Sequence, residues 1–188
     1  MAYKGTYFTE GGLTGLHPVK NAAGTTPRTG EYAVSATYAS TIGAGCLVSV
    51  SETGVTLAAL TNANPTILGV AAHNLEATPG TGATITVFDD PNQQYAVSVD
   101  GTVSNTIISV GRFSNVVSNV YNATLGYGKT QLDASEITSV IAAGDLLQIM
   151  GWIEDVGETT ASQYSQALVQ ITHRYNVYEN TDIVTHIT

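Results

Sequence analysis

The chain has 188 residues, a net charge of −9 and only 11% charged residues. Six basic residues, scattered with no cluster, would leave a nucleic-acid backbone or an anionic membrane surface repelled, so both are excluded as partners. A single cysteine, Cys46, rules out an internal disulfide framework and a cysteine-built zinc site, and the Thr, Ser, Asn, Gly, Val and Ala that replace charge suit strands better than solvated helices.

Residues 1–30 hold Gly5, Gly11, Gly12, Gly15, Gly24, Gly30, Pro18 and Pro27 with no sustained period. They read as an irregular N-terminal arm that orders against a partner. The start, Met1 to Gly5, lacks the apolar stretch of a signal peptide, so synthesis in the cytoplasm is expected. The folded domain is expected over residues 31–175, with a C-terminal extension at 176–188.

Cys46, Val48 and Val50 alternate, Ser51 to Gly54 reads as a turn, and Val55, Leu57 and Ala59 alternate again, which is a hairpin pattern. Ile67 to Ala72 is a short buried run, far too short to span a bilayer. Ile85 and Val87 alternate with Thr84 and Thr86. Asp89-Asp90-Pro91-Asn92 then suits a turn, with Pro91 placed for its second position. Tyr95, Val97 and Val99 share a strand face, and Asp100-Gly101 suits a two-residue hairpin turn before a return strand from Val103. Asn105 to Gln131 is polar and reads as strands with long loops, with Gly126 and Gly128 forming turns. Asp133 to Glu136 resembles a capping box, and Ile137, Val140 and Ile141 at helical spacing predict one short helix ended by Gly144. Leu146 to Ile153 reads as a strand. Ala167, Val169, Ile171, His173 and Tyr175 form one face of a last strand, with Gln166, Gln170, Thr172 and Arg174 opposite and Leu168 as the exception. The expected fold is therefore all-β: a small β-barrel or β-sandwich with an extended N-terminal arm and at most one short helix.

Catalytic constellations are missing. The chain has no phosphate loop ending in Gly-Lys-Ser/Thr, no Gly-x-Ser-x-Gly elbow and no His-Glu-x-x-His helix. His17, His73, His173 and His186 lack metal-ligand spacing, and neither metal nor cofactor is expected. Asp89 and Asp90, adjacent on a strand, point to opposite faces, and the expected role of Asp90 is to bond the turn backbone. Cys46 reads as a small buried hydrophobe and Trp152 as a cover for the core edge or an interface anchor. Asn122-Ala123-Thr124 matches a glycosylation sequon without other signs of secretion. These absences point to a non-enzymatic structural protein.

Four blocks, Ile67 to His73, Ile85 to Val97, Ile149 to Asp155 and Ala167 to His173, resemble segments of the decoration, or cement, proteins of tailed-phage heads, and Tyr32 to Val50 fits their opening. The similarity spans roughly residues 30–175. It implies a virion protein on the outer surface of the capsid. Such a protein bridges neighbouring major capsid protein subunits, as a homotrimer at local three-fold positions or sometimes a dimer. The arm then becomes the expected capsid contact, with Tyr3, Tyr7, Phe8, Leu13 and Leu16 as its anchors. The Asn/Ser-rich stretch and the tail beyond Tyr175 depart from that pattern. Two other readings share the composition: a tail or fibre component, which repeats would mark, and a carbohydrate-binding β-sandwich module, for which Tyr121, Tyr127 and Trp152 are the aromatic cues.

Overall fold

The computed structural model describes residues 15–21, 24, 26–60, 66–76, 82–101, 103, 112–141, 145–153 and 166–172. Among them are β1 (His17–Asn21), β2 (Thr29–Ala33), β3 (Leu47–Ser51), β4 (Gly54–Leu57), β5 (Ile67–Ala71) and β6 (Thr84–Phe88). These are followed by β7 (Gln93–Ser98), β8 (Arg112–Ser114), β9 (Val120–Asn122), β10 (Tyr127–Lys129), β11 (Leu147–Ile153) and β12 (Gln166–Ile171). The one helical piece among the described residues is a 3-10 turn, Ala134–Glu136. The fold is all-β.

Strands β2-β6-β5-β3-β4 form one sheet, β1-β7-β12-β11-β8 a second, and β9–β10 a separate hairpin. The first sheet curls until its two edges meet. Val34 and Val55 form a parallel bridge between the end of β2 and β4, and the Ser35 N–H donates to the Val55 carbonyl at 3.1 Å. This closure needs glycine at position 54: its φ is 125°, and a Cβ there would lie 2.7 Å from the Ser35 nitrogen. The result is a small barrel whose interior holds Val34, Ile42, Val48, Val55, Leu68, Ala71, Ile85 and Val87. At that bridge the two edges of the sheet cover one another.

One wall of this barrel is apolar on both sides. Along β3, Val48 points into the barrel while Leu47 points out, toward the second sheet. Strand β5 does the same, which is why it is buried throughout and reads as an unbroken apolar run. Its pairing with β3 skips Leu68, since Val48 faces Gly69 and Ser49 faces Ile67. That bulge resets the alternation, so Ile67 and Val70 both reach the outer core while Leu68 and Ala71 stay inside. The second sheet lays Tyr95, Val97, Leu147, Ile149, Ala167, Val169 and Ile171 against this wall.

Four expectations change. First, His17–Asn21 is not irregular arm: it pairs antiparallel with β7 as an edge strand of the second sheet, and the first residues of β2 also precede the expected boundary at 31. Its sequence, HPVKN, hides it, because it has no alternation and includes Pro18, which a sheet admits at an edge. Second, Asp100-Gly101 makes no hairpin. The neighbours of β7 are β1 and β12, and the Asp100 carboxylate accepts from the Ala134 N–H at 2.9 Å. Third, the Asp133 cap is real, accepting from the Ser135 N–H, but the helix stops after one turn. Ile137 is already extended, and Thr138 bridges to Phe113 beside β8. Exchanging both backbone bonds with Phe113 satisfies Thr138 better than helix continuation, and Val140 is left 72% exposed. Fourth, Gly128 is a strand residue, not a turn residue. The segments 1–14, 104–111 and 173–188, with Gly144, lie outside the described residues.

Tyr95 is fully buried and its hydroxyl donates to the Phe88 carbonyl at 3.1 Å. Burial, and then the negative charges of Asp90 and Asp89, hold its phenol far above the ordinary tyrosine range. Burial likewise raises the Cys46 thiol and the Tyr38 phenol. All three keep protons in the fold that the unfolded chain releases from about pH 8.5 to 10, so their contribution is fully present below that window and is lost as pH rises. Unfolding free energy in urea should therefore be flat to about pH 8 and fall steadily toward pH 11. Tyr95→Phe should flatten that fall while costing about 1 kcal/mol at neutral pH for the lost hydrogen bond. A wild-type stability unchanged across the alkaline range contradicts the assignment.

Candidate binding surface

Of the expected anchors, Tyr3, Tyr7, Phe8 and Leu13 lie outside the described residues. Leu16 is a correction. At 1% exposure it is a member of the core between the barrel and the second sheet, and it presents no side chain to a partner. The position where the chain enters the body is built by backbone, not side chains. The Gly15 N–H donates to the Thr130 carbonyl at 3.0 Å and the Leu16 N–H to the Gly45 carbonyl at 2.9 Å. Gly15 and Gly45 both take positive φ, and a Cβ on Gly45 would lie 2.9 Å from the Gly15 Cα. On the other side, a Cβ on Gly43 would lie 2.6 Å from the Gly128 nitrogen, and one on Gly128 would lie 2.5 Å from the Cys46 sulfur. Four glycines thus let three backbones touch: the arm root, the 43–46 loop and β10. Of the four, the sequence placed Gly15 in an irregular arm and Gly128 in a turn; their spatial meeting with Gly43 and Gly45 explains them.

Two asparagine side chains tie the β9–β10 hairpin to the barrel: Asn74, which accepts from the Ala44 N–H at 2.7 Å and donates to the Gly126 carbonyl at 2.5 Å, and Asn119. Asn119 is buried, its Oδ1 accepts from the Leu47 N–H at 2.8 Å, and its Nδ2 donates to the carbonyls of Leu47 at 2.9 Å and Ala58 at 3.0 Å. The Thr130 hydroxyl adds a longer bond to the same Oδ1 at 3.4 Å. A backbone tie, from the Gly128 N–H to the Ala44 carbonyl at 2.8 Å, holds β10. At the far end Asn122 closes the turn, accepting from the N–H groups of Thr124 and Leu125, so its side chain serves the loop.

Because Gly128 faces Cys46, alternation turns Tyr127 and Lys129 away from the body, together with their cross-strand partners Asn122 and Val120. Val120 is 51% exposed, Val117 beside the hairpin base 47%, and Leu125 at the tip 44%. This surface also has a charge signature. From Gly101 to Leu132 the chain has no Asp or Glu but carries Arg112 and Lys129, in a molecule with 15 acidic residues. That acid-free run is the signal from which the hairpin could have been singled out by sequence.

The remaining chemistry is structural. Asp89 is buried and accepts from Arg28 Nε at 2.9 Å and from the Tyr32 hydroxyl, while Arg28 also reaches the Asp89 carbonyl at 3.1 Å. Asp90, on the opposite side, accepts from the Asn92 N–H at 2.9 Å as the turn requires. Cys46 is buried, and desolvation pushes its thiol up despite hydrogen bonds involving Gly43 and Thr130, so it is a poor nucleophile. His17 lies on β1, His73 is exposed, and His173 and His186 lie outside the described residues. Among the described residues no three His, Cys, Asp or Glu side chains come together to hold a metal. Trp152 packs against the main core, and Tyr121 and Tyr127 are half-buried.

No protein-family model matches the chain, and neither a curated protein nor a solved structure matches it.

Removing the Asn119 amide leaves the Leu47 N–H and the carbonyls of Leu47 and Ala58 without it in a buried site. Asn119→Ala should cost about 2–3 kcal/mol in urea unfolding, well above a surface change. Asn119→Ser, which is also too short to span both carbonyls, should not rescue it. A loss below about 0.5 kcal/mol contradicts the clamp.

Proposed function

We propose that this chain is a decoration protein of tailed-phage heads: a non-enzymatic structural subunit that binds the outer surface of the shell and bridges neighbouring major capsid proteins. The observation that carries the reading is where the resembling blocks fall. They supply β5, which with β3 makes the doubly apolar wall, most of its neighbour β6, and most of β7, β11 and β12 in the sheet packed on it. The similarity therefore lies on the frame of the fold and not on scattered loops.

The physical properties support the same role. A shell cement needs contact area on several partners more than a deep pocket. The body is closed and tied to its own arm root, while the 14 residues before Gly15 can span about 45 Å when extended. Tyr3, Tyr7, Phe8 and Leu13 in that segment are the contacts we assign to the shell. Weak contacts repeated around symmetry axes then give tight attachment through avidity. A net charge of −9 suits the outside of the shell, away from packaged nucleic acid.

The test mixes purified protein with heads assembled without it and measures co-sedimentation. The full chain should bind saturably. A chain lacking residues 1–14 should keep its circular dichroism and melting but bind about tenfold more weakly or worse, a loss of at least about 1.4 kcal/mol. A chain lacking residues 1–30 should instead fail to fold stably, because it loses Leu16, β1 and Arg28. Full-strength binding by the 1–14 deletion removes the arm from the account, and no binding by the full chain removes the shell. Attachment to tails instead of heads would favour a fibre component, and capture on a glycan panel a sugar-binding module.

A further inference from the structure

The turn of the β9–β10 hairpin carries Asn122-Ala123-Thr124, the chain's one usable N-glycosylation sequence. Asn64-Pro65-Thr66 has the same spacing, but a proline in the middle position disqualifies it. The turn is fixed at both ends. The Asn122 carbonyl accepts from the Gly126 N–H at 2.8 Å, and Asn74 holds the Gly126 carbonyl. Its crest, Ala123 to Leu125, stays exposed. The turn uses only the oxygen of the Asn122 side chain, which accepts from the Thr124 N–H at 3.0 Å and the Leu125 N–H at 3.2 Å. Among the described residues, neither Asn122 Nδ2 nor the Thr124 hydroxyl has a hydrogen-bond partner. The two groups that a sugar transfer needs are the two that the fold leaves over.

The same bonds bear on reactivity. An amide nitrogen is a poor nucleophile, because its lone pair is shared with the carbonyl. Two N–H donors on Oδ1 stabilise negative charge there and so ease loss of an Nδ2 proton. The surroundings suit a sugar as well. Tyr127 is the direct cross-strand partner of Asn122, and Val120, two residues earlier, shares that face. Val120 is 51% exposed and Leu125 44%. A pyranose on Nδ2 would lay its C–H face over this aromatic and apolar surface.

We propose that Asn122 is a modification site, the acceptor for an N-linked sugar. In the transfer the Nδ2–C1 bond forms at the anomeric carbon of a glycosyl phosphate donor. The C1–O bond to phosphate breaks, the phosphate leaves with the bonding pair, and the Nδ2 proton passes to a base of the transferase. Oδ1 keeps both turn bonds throughout, so the modified turn holds its shape. This inference does not rest on the shell reading.

The test incubates the folded full chain with a sequon-directed transferase and UDP-glucose. A second arm uses an oligosaccharyltransferase with a lipid-pyrophosphate-linked glycan in vesicles. Intact mass and peptide mapping read the product. One glycan should appear, at Asn122, at least as fast as on a peptide copying residues 117–129. The faster arm identifies the donor as nucleotide-linked or lipid-linked. N122Q and T124V should carry no sugar. T124V keeps the Thr124 N–H and therefore the turn, so its circular dichroism and melting should match the wild type. The modified wild type should melt no lower than the bare chain. A folded chain left bare in both arms, or modified more slowly than the peptide, overturns the site. Equal modification of T124V overturns it too. A lower melting temperature on modification contradicts the separate roles of Oδ1 and Nδ2.

Discussion

The side-chain amide of Asn119 does the work of a missing strand. Leu47 opens β3 and Ala58 follows β4, so their backbone groups lie at one end of the barrel wall. One carboxamide presents a donor and an acceptor in the same order as a peptide group, and it bonds both polar groups of Leu47 at once. Left unpaired, the buried Leu47 N–H would cost about 1–3 kcal/mol, while the Leu47 carbonyl would keep the Ala58 N–H as a donor at 3.0 Å. With them satisfied, Leu47 stays in the outer core, β10 is held against the 43–46 loop, and the arm root is held against β10. The glycine contacts follow from that placement, because three backbones can meet there only if none carries a Cβ.

Much of the barrel and of the second sheet was legible because these strands obey local rules. The β3–β4 hairpin, the buried run at β5, the alternation of β6, the Asp90 turn and the faces of β7 and β12 all appear where hydrophobic period and turn chemistry placed them. Local rules failed where the deciding partner is distant in sequence. β1 has a proline and no period, and it becomes a strand only because β7 offers an edge. Asp100 suited a hairpin, yet its carboxylate is used 34 residues later at Ala134. The apolar spacing after Asp133 suited a helix, but Thr138 found a backbone partner in Phe113. Asn119 is one of many Asn residues in a polar stretch, and nothing in its neighbours distinguishes it.

The same division runs through function. The expected arm anchors divide at Gly15: Leu16 is committed to the core, and Tyr3, Tyr7, Phe8 and Leu13 are the contacts of the proposed shell reading. The hairpin shows the limit of composition, since a polar, Asn-rich run leaves Val117, Val120 and Leu125 exposed.

The central claim is that the arm root and hairpin belong to the cooperative body. Native-state hydrogen exchange tests it most directly, at the amides of Leu16, Leu47 and Gly128, whose acceptors are Gly45, Asn119 and Ala44. The account predicts that all three exchange as slowly as the core amides of β5 and β7, through global unfolding. Exchange of these three amides through a fast local opening, while β5 and β7 stay protected, would contradict it.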